Sequence, residues 1–175
     1  MFVETQRTVL RNFAEKDLQD VWEYSSQKGM EMAGLLPHCS VAESEKALKK
    51  DLQNPNKYAI VCRSSDKVIG YLLVKEDSEE HRADTKEFGC VLNSAYRQQG
   101  IMTEVILAVL QKLFEQEISY VWACCFQENL ASKRMIEKCG FSFRQEGTYF
   151  AKPLRKEYKS FEYVWTKENW LRKNM

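Results

Sequence analysis

The stretch CVLNSAYRQQGIMTEVILAVLQKLF, residues 90–114, begins with the pattern of a strand and ends with the pattern of a helix. In its second half apolar residues recur at spacings of three and four, which predicts an amphipathic helix of about four turns, with Met102, Ile106, Val109 and Leu113 on its apolar face. A polar elbow with a single glycine, Gly100, joins the two elements. The start of a helix carries unpaired N–H groups and the positive end of the helix dipole. The elbow is therefore either an ordinary connection or a cradle for an anion such as phosphate.

The residues on either side of this stretch predict the other elements. Strand patterns occur at 5–13, 57–64, 67–75, 88–92, 118–126, 141–150 and 159–167. Besides the helix that follows the elbow, helical patterns cover about 15–28, the segment from the capping-box residues Ser40 and Glu43 to about Leu52, and 130–139, which Gly140 closes. The predicted order is β-α-α-β-β-β-α-β-α-β-β.

This order predicts a mixed α/β fold of the α+β class. The strand–helix–strand unit over 88–126 requires a parallel pair of strands, whereas the short turn at Ser65 and Asp66 predicts an antiparallel hairpin. We therefore expect a central, mixed but mostly antiparallel sheet of about seven strands with helices on both faces. No repeat, long linker or break in composition interrupts the chain, so we expect one domain over residues 1–175.

The composition argues against several classes of protein. The 175 residues include 26 Lys and Arg against 25 Asp and Glu, and the resulting net charge of +1 argues against extensive nucleic-acid binding. No run approaches the roughly 18 apolar residues that span a bilayer. The start of the chain also lacks the pattern of a signal peptide. We expect a cytoplasmic protein, monomeric or homodimeric, with no nucleic-acid or membrane partner.

The chain contains six cysteines, Cys39, Cys62, Cys90, Cys124, Cys125 and Cys139. None belongs to a C-x-x-C pair, and most lie in apolar strand-like or helical runs. This placement predicts reduced, buried thiols. With His38 and His81 as the only histidines, we expect no metal site.

Two blocks of sequence carry a resemblance to a known family. Within 127–141 a pattern N-x-x-S-x-x-x-x-E-x-x-G-F starts at Asn129, and within 87–105 the pattern E-x-G-x-x-L is followed by G-x-x-T-E. Together they resemble the GNAT superfamily of acetyl-CoA-dependent N-acetyltransferases, in particular its RimJ/RimL-like branch, and the resemblance covers nearly the whole chain. The family pattern [Q/R]-x-x-G-x-[G/A] starts here at Arg97 and departs from the family at its last position, Met102. The larger side chain of Met102 must point away from the pyrophosphate if the ligand is to bind.

The resemblance implies acetyl-CoA as cosubstrate. Backbone N–H groups from Gln98 to Thr103 would hold the pyrophosphate, and the pantetheine arm would lie beside the end of the strand at Val91 and Leu92, where an N–H would stabilise a developing oxyanion. Asn129 would bind the cofactor's amide groups, cap the helix over 130–139, or do both. The implied cofactor-binding residues are Val91, Leu92, Arg97, Gln98, Gln99, Gly100, Ile101, Met102, Thr103 and Asn129.

The resemblance also implies direct attack of a primary amine on the thioester, which requires proton transfer. Glu87 is the candidate base, acting directly or through water, and Ser132 is the candidate acid for the departing thiolate. Each has a structural alternative: Glu87 as a solvent-facing strand residue and Ser132 as a hydroxyl on a helix surface. A covalent acyl-cysteine route through Cys124 or Cys125 would need a neighbouring base, and no histidine is close in sequence.

The acceptor stays open between a peptide N-terminus, such as that of a ribosomal protein with N-terminal alanine, a polyamine and a small amine such as an antibiotic. An acidic stretch either attracts a cationic acceptor or is a solvated hairpin; it contains Glu76, Asp77, Glu79, Glu80, Asp84 and Glu87. A set of aromatic residues either lines an acceptor pocket or belongs to the core; it comprises Trp22, Tyr24, Tyr149, Tyr158 and Trp165.

Two functions other than that of an enzyme are also considered for this chain. A non-catalytic acyl-CoA-binding regulatory module would keep the anion cradle but would not need Glu87 and Ser132. A nucleotide-binding domain would need a G-x-x-x-x-G-K-[ST] loop or a G-x-G-x-x-G turn, and the sequence has neither.

Overall fold

The computed structural model describes residues 1–76 and 82–174, and the side chains of this range as far as residue 172. Its strands are β1 (Val3–Glu4), β2 (Thr8–Arg11), β3 (Lys57–Cys62), β4 (Val68–Glu76), β5 (Thr85–Leu92), β6 (Tyr120–Phe126), β7 (Ser142–Ala151) and β8 (Lys156–Thr166). Its helices are α1 (Leu18–Ser25), α2 (Val41–Asp51), α3 (Ile101–Glu115), α4 (Leu130–Lys138) and α5 (Lys167–Asn174).

All described strands join one eight-stranded sheet in the order β1-β2-β3-β4-β5-β6-β8-β7. Among them β5 and β6 are the parallel pair, and every other neighbouring pair is antiparallel. The predicted α+β class and the mostly antiparallel mixed sheet are thus confirmed. The expected parallel pair is present because α3 provides the crossover that parallel strands require.

The structure differs from the predicted elements at both ends of the chain. The strand expected at 5–13 is shorter, covering Thr8–Arg11 as β2, and an additional short strand, β1, precedes it. The Thr5 N–H donates to the Thr8 carbonyl at 2.9 Å and closes a tight turn between the two. The additional strand gives eight strands where about seven were expected. After β8 the chain continues as α5, whose first turn is capped where the Asn169 N–H donates to Thr166 Oγ1 at 3.2 Å.

Two apolar cores show that helices cover both faces of the sheet. One core joins α3 and α4 to the sheet and includes Val105, Val109 and Ile136. The other lies on the side of α1 and α2 and includes Val21 and Leu48. In the described part of the chain no helix has both the length and the apolar content to cross a bilayer.

The parallel ladder between β5 and β6 is short. Its register runs from Thr85 opposite Tyr120 to Phe88 opposite Ala123 and ends there. Beyond that point Gly89 and Cys90 of β5 and residues 124–126 of β6 line a common cavity. The two strands have therefore separated at the end of β5 that leads into the elbow.

Candidate active site

The elbow between β5 and α3 has a backbone conformation that residues with a side chain rarely adopt. Gln98 has φ 59° and Gly100 has φ 76°, both in the left-handed region. Left-handed residues in such a loop turn successive N–H groups into one concavity, and this arrangement binds anions. The side chains of Ile101 and Met102 are buried in the core, 5% and 8% exposed. The methionine that departs from the family pattern is therefore packed inside the protein.

Arg7, in the turn between β1 and β2, holds the elbow through hydrogen bonds of its guanidinium group. Its Nη1 donates to the Gln99 carbonyl at 2.7 Å, and its Nε donates to Glu104 Oε2 of α3 at 2.7 Å. A Cβ added to Gly100 would lie 3.6 Å from Arg7 Nη2. The Arg7 guanidinium thus fixes the glycine turn against the first turn of α3 and brings a cation close to it.

A second set of contacts holds the end of β5. Asn93, which is 2% exposed, accepts hydrogen bonds at Oδ1 from Gln27 Nε2 at 2.9 Å and from the Ala95 N–H at 3.0 Å. Its Nδ2 donates to Glu23 Oε1 of α1 at 2.9 Å. Because Asn93 ties the strand end to α1, the elbow begins from a fixed position.

The first cavity, of about 630 Å³, opens on this elbow. Nine of the ten predicted cofactor-binding residues line it: Val91, Leu92, Arg97, Gln98, Gly100, Ile101, Met102, Thr103 and Asn129. Gln99 does not line it; its carbonyl accepts from Arg7 and its Nε2 donates to the Ala95 carbonyl at 2.9 Å. The Nε of Arg97 donates to the Leu92 carbonyl at 2.9 Å, so this guanidinium also holds the strand end.

Two further cations, Arg134 and Lys138, line the first cavity and were missed in the sequence. They belong to a stripe of α4 at helical spacing, together with Ala131 and Met135, that faces this cavity. The spacing could have identified them, since residues three and four apart share a helix face. Phosphate groups pair well with such cations beside a helix start. The cavity therefore suits a ligand with several phosphates and a slender arm, as coenzyme A is.

The second cavity, of about 250 Å³, lies where β5 and β6 separate. Glu87 lines it, and its Oε2 lies 2.9 Å from Lys75 Nζ of β4. The Glu87 side chain is 19% exposed, so it is partly buried in the wall of this cavity. Lys75 stands directly opposite Glu87 in the antiparallel register of β4 and β5.

Ser132 lines both cavities and lies where they meet. Its N–H donates to Asn129 Oδ1 at 3.1 Å, so Asn129 is the N-cap of α4. Asn129 Nδ2 donates to the Met32 carbonyl at 2.9 Å. This bond connects α4 to the segment between α1 and α2, which borders both cavities.

All six cysteines are free thiols, and Cys39 is exposed whereas the prediction had described buried thiols. Desolvation raises the pKa of Cys124 to about 11, against a hydrogen bond with Ser160 that lowers it, and the nearby Glu87 carboxylate raises it further. Desolvation also raises the pKa of Cys125 to about 11. Both thiols are therefore protonated at neutral pH, which argues against the acyl-cysteine route. Among the residues that the structure describes, no His, Cys, Asp or Glu cluster is placed to hold a metal ion.

The predicted aromatic set divides between the core and the cavity. Tyr24 and Trp165 are buried, 2% and 3% exposed, and belong to the two cores. Tyr149 lines the second cavity beside Phe126, which stacks on Tyr158 with ring centroids 4.2 Å apart. Trp22 is half-buried on α1.

The acidic stretch is already neutralised where it is described. Glu76 pairs with Lys86, Asp84 with Arg82, and Glu87 with Lys75. The pairing with Arg82 holds the pKa of Asp84 at about 2. Asp77, Glu79 and Glu80 of the predicted stretch lie outside the described residues.

Comparison with known proteins identifies the family of the chain. Residues 7–142 match the model of the acetyltransferase (GNAT) domain. Over 97% of its length the chain is 31% identical to the uncharacterized N-acetyltransferase YnaD of Bacillus subtilis, of which it covers 99%. Its fold matches a GNAT-family acetyltransferase from Bacillus anthracis with a TM-score of 0.78 and 24% identity, covering 96% of this chain and 99% of that one.

The fold is also similar to that of RimL, described as a ribosomal L7/L12 alpha-N-protein acetyltransferase in complex with coenzyme A, with a TM-score of 0.72 and 15% identity over 95% of this chain and 98% of that one. This likeness shows that the two proteins share a fold. The matched domain and the curated relative together cover the two sequence blocks, the elbow and the separated strands described above. The chain therefore belongs to the GNAT family of N-acetyltransferases.

Proposed function

We propose that this protein binds acetyl-CoA with its phosphates at the elbow and transfers the acetyl group to a primary amine that enters through the second cavity. The observation that carries the proposal is the position of Ser132, which borders both the cation-lined cavity and the cavity that holds Glu87. A donor bound in one cavity and an acceptor bound in the other would meet at this residue.

The backbone of β5 supports a place for the pantetheine arm. The Asn93 N–H donates to the Ile69 carbonyl of β4 at 2.7 Å, and hydrogen-bonding direction alternates along an antiparallel pair. The backbone groups of Cys90 and Leu92 therefore point to the side where β6 has separated, while those of Val91 face β4. Because Arg97 occupies the Leu92 carbonyl, the N–H groups of Cys90 and Leu92 are the donors that we assign to the arm and to the thioester oxygen. Val91 would then contact the cofactor as part of the cavity wall and not through a backbone hydrogen bond.

The chemistry assigned to the side chains is a direct transfer. Bound acetyl-CoA supplies an activated acyl carbon and a thiolate leaving group. Glu87, directly or through water, takes one proton from the ammonium so that the neutral nitrogen can attack the acyl carbon. As the C–S bond breaks, the Ser132 hydroxyl gives its proton to the sulfur and regains one, through water, from the nitrogen of the new C–N bond. The ion pair with Lys75 holds the Glu87 carboxylate in place. No covalent enzyme intermediate is needed, in keeping with the protonated cysteines.

The acceptor class is an amine, whether on a peptide, a polyamine or a small molecule. The relative RimL is described as acting on a ribosomal protein, and its likeness in fold makes a peptide N-terminus one acceptor to test. The alternative of a non-catalytic acyl-CoA-binding module requires the first cavity but gives no role to Glu87 in the second.

Release of free thiol from acetyl-CoA, measured over a panel of peptides, polyamines and small amines, separates these functions. With an accepted amine, Ser132→Ala should lower kcat by roughly tenfold to a thousandfold while leaving coenzyme A affinity nearly unchanged, as expected when a proton donor is removed. The matched control is Ser142→Ala, at an exposed position of β7 that borders neither cavity. Acetyl-CoA binding without turnover on any amine would favour the non-catalytic module instead.

A further inference from the structure

The second cavity presents an apolar surface to whatever amine enters it. Side chains from four parts of the fold form these walls: Met32, Leu35, Tyr71, Leu73, Phe126 and Tyr149. Burial raises the pKa of Tyr71, so its hydroxyl is neutral at physiological pH. The Cys124 thiol is neutral there as well, since its pKa is raised to about 11. The walls can therefore pack against the hydrocarbon part of an acceptor, but they provide no ionised group to pair with a second positive charge.

The ionised groups of this cavity cancel each other. Of the described residues that line it, Glu87 and Lys75 are the two that carry charge, and they pair at 2.9 Å. The nearby ammonium of Lys57, 4.0 Å from the centroid of the Tyr71 ring, is paired in turn with Asp51. The described cavity has no excess negative charge with which to hold a polycation. A second ammonium buried among apolar walls would lose its hydration without gaining a partner.

The size of the cavity restricts the acceptor further. At about 250 Å³ it falls below the range of about 300–1,000 Å³ that is usual for drug-sized ligands. Part of this volume is needed for the acetyl group and the amine itself. The part of the acceptor that lies inside the cavity with the amine is therefore compact.

We propose that the acceptor is a monoamine on a compact apolar group, bound with its nitrogen at Glu87 and its carbon body against the walls of the second cavity. The inference rests on the proposed acetyl transfer and narrows its acceptor. A small aliphatic amine and the first residue of a peptide with an apolar side chain share this chemistry. A polyamine or an aminoglycoside does not, because each carries further ammonium groups.

The test compares two amines of nearly equal length, 3-methylbutylamine and 1,4-diaminobutane, by kcat/KM with saturating acetyl-CoA. The monoamine should exceed the diamine by about thirtyfold or more, within the range by which an apolar pocket discriminates small groups. A peptide amide that begins with leucine forms a third arm; turnover above that of 3-methylbutylamine would identify a chain N-terminus as the source of the same chemistry. Equal or faster turnover of the diamine overturns the acceptor class and leaves the acetyl transfer intact. If none of the amines is acetylated although acetyl-CoA binds normally, both the acceptor class and the proposed acetyl transfer are overturned.

Two variants test the cause of the selectivity. Lys75→Met leaves the Glu87 carboxylate unpaired, and Leu73→Asp adds a carboxylate to an apolar wall. Each should raise the ratio of diamine to monoamine kcat/KM by about tenfold or more, because each gives the cavity a net negative charge. The matched controls are Lys46→Met and Leu171→Asp, at exposed positions of α2 and α5 away from both cavities, and they should leave the ratio unchanged. An unchanged ratio in both cavity variants would show that charge balance does not select the acceptor.

Discussion

Glu87 takes its position from two neighbours that are far from it in sequence. Lys75 faces it across the β4–β5 ladder, and Trp122 stands opposite it in the parallel register with β6. The ion pair with Lys75 keeps the carboxylate at the cavity wall. Such a carboxylate can act as a base when the amine lies on its open side.

At this scale, Glu87→Gln should keep the shape of the side chain and remove the proton acceptor. The rate should fall most at neutral pH and recover as rising pH deprotonates the amine substrate itself, since a neutral amine needs no base before attack. Turnover measured from about pH 6 to 9.5, a range that spans the titration of common bases and amines, gives the profile.

The matched control is Glu45→Gln, another ion-paired glutamate, which pairs with Lys49 on the exposed face of α2. Its pH profile should run parallel to that of the unaltered protein. A parallel profile for Glu87→Gln as well would remove Glu87 from the chemistry and favour a water chain or an amine that arrives neutral.

At the scale of elements, the proposed site for the phosphates of coenzyme A is the junction between β5 and α3. Its geometry depends on Gly100, whose left-handed backbone ends the elbow, and on Arg7, which holds the neighbouring carbonyl. A side chain at position 100 both strains the backbone and projects toward the Arg7 guanidinium. The helix start can accept a phosphate only while this turn stays tight.

Gly100→Val should therefore abolish the rise in melting temperature that coenzyme A produces, since a ligand stabilises only the folded state that binds it. The variant should still fold, with a loss of at least about 1–2 kcal/mol from the strained left-handed residue. Thermal unfolding with and without coenzyme A measures both effects.

Gly140→Val is the control, because Gly140 is also left-handed, at φ 93°, but ends α4 outside both cavities. It should lose stability and keep the coenzyme A shift. Arg7→Met, which removes the guanidinium hydrogen bonds while leaving the glycine in place, should reduce the shift without removing it. A full shift in Gly100→Val would exclude the elbow as the phosphate site.

Across the whole molecule, Trp165 connects elements that the sheet alone does not join. It is 3% exposed on β8, its Nε1 donates to the Cys139 carbonyl at the end of α4 at 2.9 Å, and its ring packs edge-on against Phe114 of α3 and Trp170 of α5. The Trp165 side chain therefore links α3, α4 and α5 to the sheet on this face.

Trp165→Ala should cost about 3–5 kcal/mol of unfolding free energy, the range for deleting a buried tryptophan. For a chain of this size each kcal/mol lowers the melting temperature by about 2–4 °C. Trp22→Ala, at a half-buried position on the opposite face, should cost clearly less. Because Trp165 borders neither cavity, its variant should keep the stabilisation by coenzyme A below its own melting temperature. Equal losses in the two variants would contradict the central role of Trp165.

Local patterns in the sequence were enough for the order of the main elements. The helix after Gly100, the hairpin at Ser65 and the N-cap at Ser40 all follow from spacing and backbone chemistry within a few residues, and the structure contains each of them. The short strand β1, which lies before the predicted strand at 5–13, and the short helix α5 were missed. Their signals are single hydrogen bonds, at Thr8 and Thr166, which do not alter the hydrophobic pattern.

The sequence by itself determined the family, the strand–helix–strand unit and the elbow with its one glycine, because these depend on residues close together along the chain. The tertiary structure alone decided which side chains share a cavity. Lys75 meets Glu87 only through the register of β4 and β5, Arg7 reaches the elbow from 92 residues away, and Ser132 borders both cavities only because β5 and β6 separate. Register and strand separation are fixed by packing over the whole sheet, so no local pattern encodes them.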